Sequence, residues 1–189
     1  MNARHLSKTA EWGSPSRLVE IAHLVLPGGV DLDPASSDFW NRMVRARRFI
    51  DVHEDGLLAD WSPDGFPVTV FLNPPGDQTG QLVKDFWNRL ASKWLTGEVR
   101  SAVWVGFNLE QLTYLQDHRV SPPGLPTCIP RNRIPYRRFE DGIAREVDDP
   151  THGSFFTLLP ERGGDGQQVG AFARLTAPLG KTINVRTTT

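Results

Sequence analysis

The sequence predicts a single α/β domain in which a mixed, mainly parallel sheet carries helices on both faces. Three observations lead there. Strand-like and helix-like patterns alternate along the chain, the arrangement that builds parallel sheets through helical crossovers. Two apolar strands end on rigid or polar residues, Asp33-Pro34-Ala35 and Asn73-Pro74-Pro75, at the position where open parallel sheets bind ligands. A chain of 189 residues, 39% hydrophobic and 23% charged, is large enough to bury one core. The domain is expected to span residues 11–186, preceded by a flexible N-terminus, 1–10.

Taken in order, Ser14-Pro15 opens a helix, the serine as cap and the proline at the first helical position. Leu18, Ile21, Ala22 and Val25 give it one apolar face, and Pro27-Gly28-Gly29 stops it. Val30 to Asp33 reads as a short strand. Val68 to Leu72 reads as a stronger one, β-branched and aromatic. A long helix from about Thr79 to Leu95 follows, with Val83, Phe86, Trp87, Leu90, Ala91 and Trp94 as its apolar stripe. Ala102 to Phe107 is the next strand and Leu109 to Gln116 a short helix. Thr127 to Ile134 and Ser154 to Leu159 read as two more strands. Gly124 to Pro126 and Glu140 to Gly153 read as turn and loop. The tail, Val169 to Val185, holds a short amphipathic piece and a last strand.

Composition excludes several function classes. A single cysteine, Cys128, rules out an internal disulfide and a cysteine-based zinc site. The five histidines are scattered without metal-ligand spacing, so no metal is expected. No apolar run is long enough to span a bilayer, and Met1 to Lys8 is polar, so neither a membrane nor export is expected. The net charge of −1 argues against coating nucleic acid by charge alone. The arginines nonetheless cluster: Arg42, Arg45, Arg47 and Arg48 in one group, Arg131, Arg133, Arg137 and Arg138 in another. Such clusters read either as phosphate-holding faces or as solvated arginines paired with acids.

Asn73-Pro74-Pro75 carries the most chemistry. Neither proline donates to a ladder, so the pair cannot lie inside a sheet, and it fixes an extended, rigid turn. Two acceptors then face outward, the Asn73 side-chain oxygen and the Pro74 carbonyl. They suit a planar amino group with two hydrogens. The bland reading is strand termination alone. Asp33 has a double reading too, as a helix cap or as acceptor for a cofactor's hydroxyl or amino groups. Asp55-Gly56-Leu57, taken alone, is a surface turn.

The order of these segments matters more than any one of them. Glu11-Trp12-Gly13-Ser14-Pro15, Asp31-Leu32-Asp33-Pro34-Ala35-Ser36, Glu54-Asp55-Gly56-Leu57 with Trp61, and Phe71-Leu72-Asn73-Pro74-Pro75 together resemble the phage-type DNA N6-adenine methyltransferases. The likeness continues through Cys128 to Ile134 and Ser154 to Leu159 to about Gly180. It implies a Rossmann-like methyltransferase fold and S-adenosyl-L-methionine as cofactor. It implies that Trp12, Ser14 and Pro15 touch the methionine part of the cofactor, with Ser14 where threonine is usual. Asp33, Pro34 and Ala35 match the cofactor-binding strand tip, and Asp55 with Leu57 the turn that holds its adenine. Asn73, Pro74, Pro75 and Gly76 match the catalytic loop. The fourth loop residue is normally an aromatic that stacks on the extruded base; here it is Gly76.

The implied partner is DNA, either a duplex with a flipped base or a single strand, because an amino group inside a duplex is out of reach. The missing ring must then come from elsewhere, and Phe155, Phe156, Tyr136 and Trp104 are the candidates, with the Phe155–Phe156 pair first among them, although its reading as sheet core is the stronger one. Arg131, Arg133, Arg137 and Arg138 are expected to contact phosphates. The loops Gly76 to Gly80, Ser121 to Pro126 and Glu140 to Gly153 are left to read sequence, which predicts relaxed specificity. A phage-encoded monomer acting in the cytoplasm of a bacterial host is expected. The alternatives are a catalytically degenerate methyltransferase-fold binding protein, or a methyltransferase acting on cytosine N4, RNA or a protein amide.

Overall fold

The computed structural model describes residues 12–77, 79–140, 143–147 and 152–185. The expected flexible N-terminus, Glu11 and the domain end at 186 lie outside the described residues.

The elements, in chain order, are β1 (Trp12–Gly13), α1 (Ser16–Val25), β2 (Leu32–Asp33), α2 (Asp38–Val44), β3 (Arg48–Phe49), β4 (Val68–Leu72), α3 (Gln81–Thr96), β5 (Val99–Gly106), α4 (Glu110–Leu115), β6 (Thr127–Pro130), β7 (Arg137–Glu140), β8 (Ile143–Glu146), β9 (Phe155–Leu159), α5 (Gln167–Thr176) and β10 (Gly180–Ile183). A seven-stranded sheet has the order β10-β6-β9-β5-β4-β2-β3. Strands β3, β2, β4 and β5 pair in parallel. Strand β9 runs antiparallel to both β5 and β6, and β10 antiparallel to β6. Since β6 therefore points the same way as β5, the sheet is mixed but mostly parallel. A small antiparallel sheet, β1-β7-β8, stands apart from it.

Side chains alternate across the large sheet with a period of two, and this alternation creates two cores. Phe71, Val103, Val105, Phe156 and Leu158 face one side, where they meet Leu18, Ile21, Ala22 and Val25 of α1 and Phe172 of α5. Val70, Leu72, Ala102, Trp104, Phe155 and Leu159 face the other, against Val83, Phe86, Trp87 and Leu90 of α3. Helices thus cover both faces, as the alternating pattern predicts.

Several local expectations need correction. Helix α1 begins one residue later than expected: Pro15 is its N-cap and the Pro15 carbonyl accepts from the Leu18 and Val19 amides, while Ser14 makes no capping bond. Strand β6 stops at Pro130 rather than reaching Ile134. Within the stretch expected to be loop from 140, the chain forms the second half of a hairpin, with Arg138 opposite Arg145 and Phe139 opposite Ala144. Helix α2 and strand β3 carry no sequence signal strong enough to predict. Strand β3 is two residues long, too short for any period to show. Helix α2 is seven residues long, held at its start by Ser37 Oγ, which accepts from the Trp40 amide.

Candidate functional site at the carboxyl edge of the parallel strands

Strand order reverses between β2 and β4: the chain leaves β2 outward to β3, then crosses to β4 and proceeds to β5 on the other side. In open α/β sheets that reversal opens a crevice beyond the carboxyl ends of the two strands. Here those ends are Asp33 and Asn73. Four loops meet at this edge, after β3, β2, β4 and β5. Because β9 is antiparallel, its start, Ser154 and Phe155, lies at the same edge, with Phe155 opposite Gly106.

Asp33 is buried, 3% exposed, with Oδ1 accepting from the Ala35 amide. Burial dominates its electrostatics and raises its pKa from 3.8 to about 7, offset in part by the Ala35 amide and the nearby Ser36 hydroxyl. A carboxyl poised near neutrality at a strand tip is ready to accept a cation or hydrogen-bond donors.

The turn after β3 is locked onto this tip. The Ile50 amide donates to the Asp33 carbonyl at 2.9 Å and the Ser36 amide to the Ile50 carbonyl at 3.0 Å. Asp55 adopts a left-handed φ of 60°, and its Oδ1 accepts from the Leu57 amide. Gly56 presses against the Pro34 carbonyl so closely that a Cβ there would collide with it. Trp61 Nε1 donates to the Gly56 carbonyl at 2.8 Å from below. Asp33, Pro34, Asp55 and Leu57 therefore belong to one surface, although 22 positions separate Asp33 from Asp55 in the sequence.

On the neighbouring strand Asn73 is half-buried, Pro74 buried, and Pro75 and Gly76 exposed. The aromatic neighbour of this loop is Phe107, one residue beyond β5: a Cβ on Gly76 would lie 2.9 Å from its ring. Further along, Gly80 packs beside Tyr114 of α4, whose phenol is raised above its usual pKa by burial and then by the charges of Asp77 and Glu110.

The segment Trp12 to Pro15 is fixed at the same edge by two contacts. Strand β1 pairs with β7, Trp12 opposite Arg138. Gly13 lies flat against the Trp40 ring of α2, leaving no room for a Cβ. Trp12 itself is 49% exposed, with the Arg138 guanidinium 5.9 Å from its ring centre.

The expected phosphate contacts divide. Arg131 lies at the end of β6, three strands from β4, with its guanidinium 3.5 Å from the Ala177 and Pro178 carbonyls. Arg133 and Arg138 are exposed. Arg137 is half-buried, 3.0 Å from Met43 Sδ and 3.7 Å from Glu146. Of the first arginine group, Arg42, Arg47 and Arg48 are paired with Asp38, Asp31 and Glu54.

One expectation is overturned by burial. Phe155 is 0% exposed, Phe156 1%, Trp104 0% and Tyr136 9%, so none presents its ring to a base. Phe155 packs over Gly106 as part of the sheet core. Two residues escaped sequence reasoning: Phe107, read as the end of a strand, and Asp51, whose Oδ1 caps the turn after β3 through the His53 and Glu54 amides.

A concavity of about 420 Å³ opens at the opposite, amino edge, among Asp31, Arg47, Phe66 and Arg100. Arg47 bonds there to Asp31 and Arg100 Nη2 to the Pro27 carbonyl, while Arg100 Nε is buried without a partner. Among the described residues no group of three or more His, Cys, Asp or Glu side chains is placed to hold a metal ion, and no helix is long and apolar enough to cross a membrane. Comparisons with protein-family models, with curated proteins and with solved structures find no match to this chain.

Proposed function

We propose that this protein transfers a methyl group from S-adenosyl-L-methionine to the N6 amino group of adenine in DNA, with relaxed sequence specificity. The observation that carries the reading is the placement of Asp33 and Asn73-Pro74-Pro75 at the carboxyl ends of adjacent parallel strands, at the point where strand order reverses. The same reversal supports a Rossmann-like methyltransferase fold.

The residues at this edge suit such a cofactor. Asp33 is buried with few protein partners, so a cationic or hydroxyl-bearing ligand would supply the hydrogen bonds its ionised form lacks. The turn at Asp55 to Leu57 offers a rigid wall beside it, and Trp12 to Pro15 would close the far side. When bound, the cofactor supplies an electrophilic methyl group on a sulfonium.

The chain's own task is positioning. An adenine amino group is a poor nucleophile because its lone pair is delocalised into the ring. The Asn73 carboxamide oxygen and the Pro74 carbonyl would accept its two hydrogens, hold it pyramidal and stabilise positive charge growing on nitrogen. The double proline keeps these acceptors from relaxing. Exposed Arg133 and Arg138 would contact phosphates at the rim. We place the activity in the cytoplasm of a bacterial host, encoded by a phage.

Tritium transfer from labelled S-adenosylmethionine to DNA tests this. The wild type should label adenine at N6, and Asn73→Ala should lose roughly 10²–10³-fold in rate, as when one preorganised polar partner of a transition state is removed. Equal incorporation by both proteins would remove Asn73 from the chemistry.

A further inference from the structure

Gly76 and Phe107 sit against one another at the mouth of the site, and their contact assigns a role to each. The loop after β4 and the loop after β5 are neighbours because β4 and β5 pair in parallel, Leu72 opposite Trp104. Two residues past Trp104 the chain reaches Gly106, whose bare backbone lies under the Phe155 ring. Phe107 then turns out of the strand. It is half-buried and packs against both core clusters, so its ring is braced by the core while part of it remains exposed.

A Cβ built on Gly76 would stand 2.9 Å from Phe107 Cζ and 3.5 and 3.6 Å from its two Cε atoms. Real Cβ atoms do not approach a ring so closely, so the space beside Gly76 already belongs to Phe107. An aromatic side chain at position 76 would have to displace it. Glycine here is the small partner in an exchange of bulk between two adjacent loops. Phe155, Phe156, Trp104 and Tyr136 are buried and cannot serve in its place.

We propose that Phe107 is the stacking platform for the acceptor base, holding a planar, amino-bearing nucleobase against Asn73 and Pro74, and that Gly76 exists to admit its ring. This rests on the reading of the site as a nucleobase methyltransferase. An aromatic ring lies flat on any base, so the platform is tolerant of sequence, in keeping with relaxed specificity. Phe107 binds the base; it moves no proton.

The test is a reciprocal exchange with single-stranded oligodeoxyadenylate as probe, read by fluorescence anisotropy and by tritium transfer from labelled S-adenosylmethionine. Phe107→Leu, which keeps apolar filling without a ring, should weaken oligonucleotide affinity and raise KM by roughly 5- to 150-fold, the equivalent of a stacking contact worth about 1–3 kcal/mol. Phe107→Tyr should stay near wild type, and binding of S-adenosylhomocysteine should be unchanged in both. Gly76→Tyr alone should be impaired by collision, while Gly76→Tyr combined with Phe107→Ala should regain most of the affinity. Thermal melts of all variants separate misfolding from lost stacking. Wild-type affinity and transfer in Phe107→Leu would overturn the platform and leave the methyltransferase reading standing. Oligonucleotide binding that depends on Phe107 without any methyl transfer would keep the platform and overturn the reading. A wild type that neither binds nor methylates the probe would overturn both.

Discussion

Asp31 and Asp33 stand two residues apart around the same short strand, and their surroundings could hardly differ more. Asp31 faces the amino edge of the sheet. Its Oδ2 accepts from the Thr69 amide at 2.9 Å and its Oδ1 from Arg47 at 2.8 Å. Thr69 in turn belongs to β4, so this carboxylate ties β2 to β4 at their starting ends. Asp33, at the carboxyl edge, is more deeply buried, keeps the Ala35 amide as its backbone partner and has its pKa raised to about 7. Side chains at this spacing point to the same face of a strand. The contrast therefore comes from which edge each occupies: one acid holds two strands together, the other is left short of partners where a ligand would arrive.

The largest expected effect concerns pH. Because the folded pKa of Asp33 lies above that of the unfolded chain, its contribution to stability is complete below about pH 4 and is lost as pH rises through 7. Asp33→Asn removes that loss. At pH 8 the variant should be more stable than wild type by as much as about 4 kcal/mol. Denaturant midpoints measured from pH 4 to pH 8 check this, and equal slopes in both proteins would show that Asp33 is not held in a protonated state.

Asp31 should behave in the opposite way. Asp31→Ala leaves the buried Thr69 amide without its side-chain partner and should cost about 1–3 kcal/mol at neutral pH. Arg47→Ala removes only the exposed side of the pair and should cost about 0.2–1 kcal/mol, less at high salt. If the arginine variant proved the worse of the two, the ion pair rather than the link to β4 would be what Asp31 is for.

Much of the α/β architecture was legible in the sequence because its long elements are periodic. Val68 to Leu72 and the stripe of α3 match their expected positions closely, and both core faces follow from period-two alternation. What could not be read lacks length or locality. Strand β3 has two residues, and β1 exists only because β7 lies beside it. Within the candidate site, Asp33 and Asn73 announced themselves as polar ends of apolar strands. Phe107 did not, since an aromatic after an apolar strand looks like one more core residue. Only the neighbouring loop, brought alongside by parallel pairing, reveals its open position. Phe155 misled for the same reason in reverse: paired with Gly106 of β5, it packs into the core cluster that holds α3 and is fully buried.

The central claim is that the carboxyl edge of β2 and β4 holds the cofactor. Calorimetric titration of S-adenosylhomocysteine into the wild type at pH 8, where Asp33 is ionised, tests it most directly. One site should bind in the wild type, Asp33→Asn should weaken it at least tenfold, and Asp31→Ala should bind as wild type does where it remains folded. Absence of binding by the wild type, or equal binding by Asp33→Asn, would contradict it.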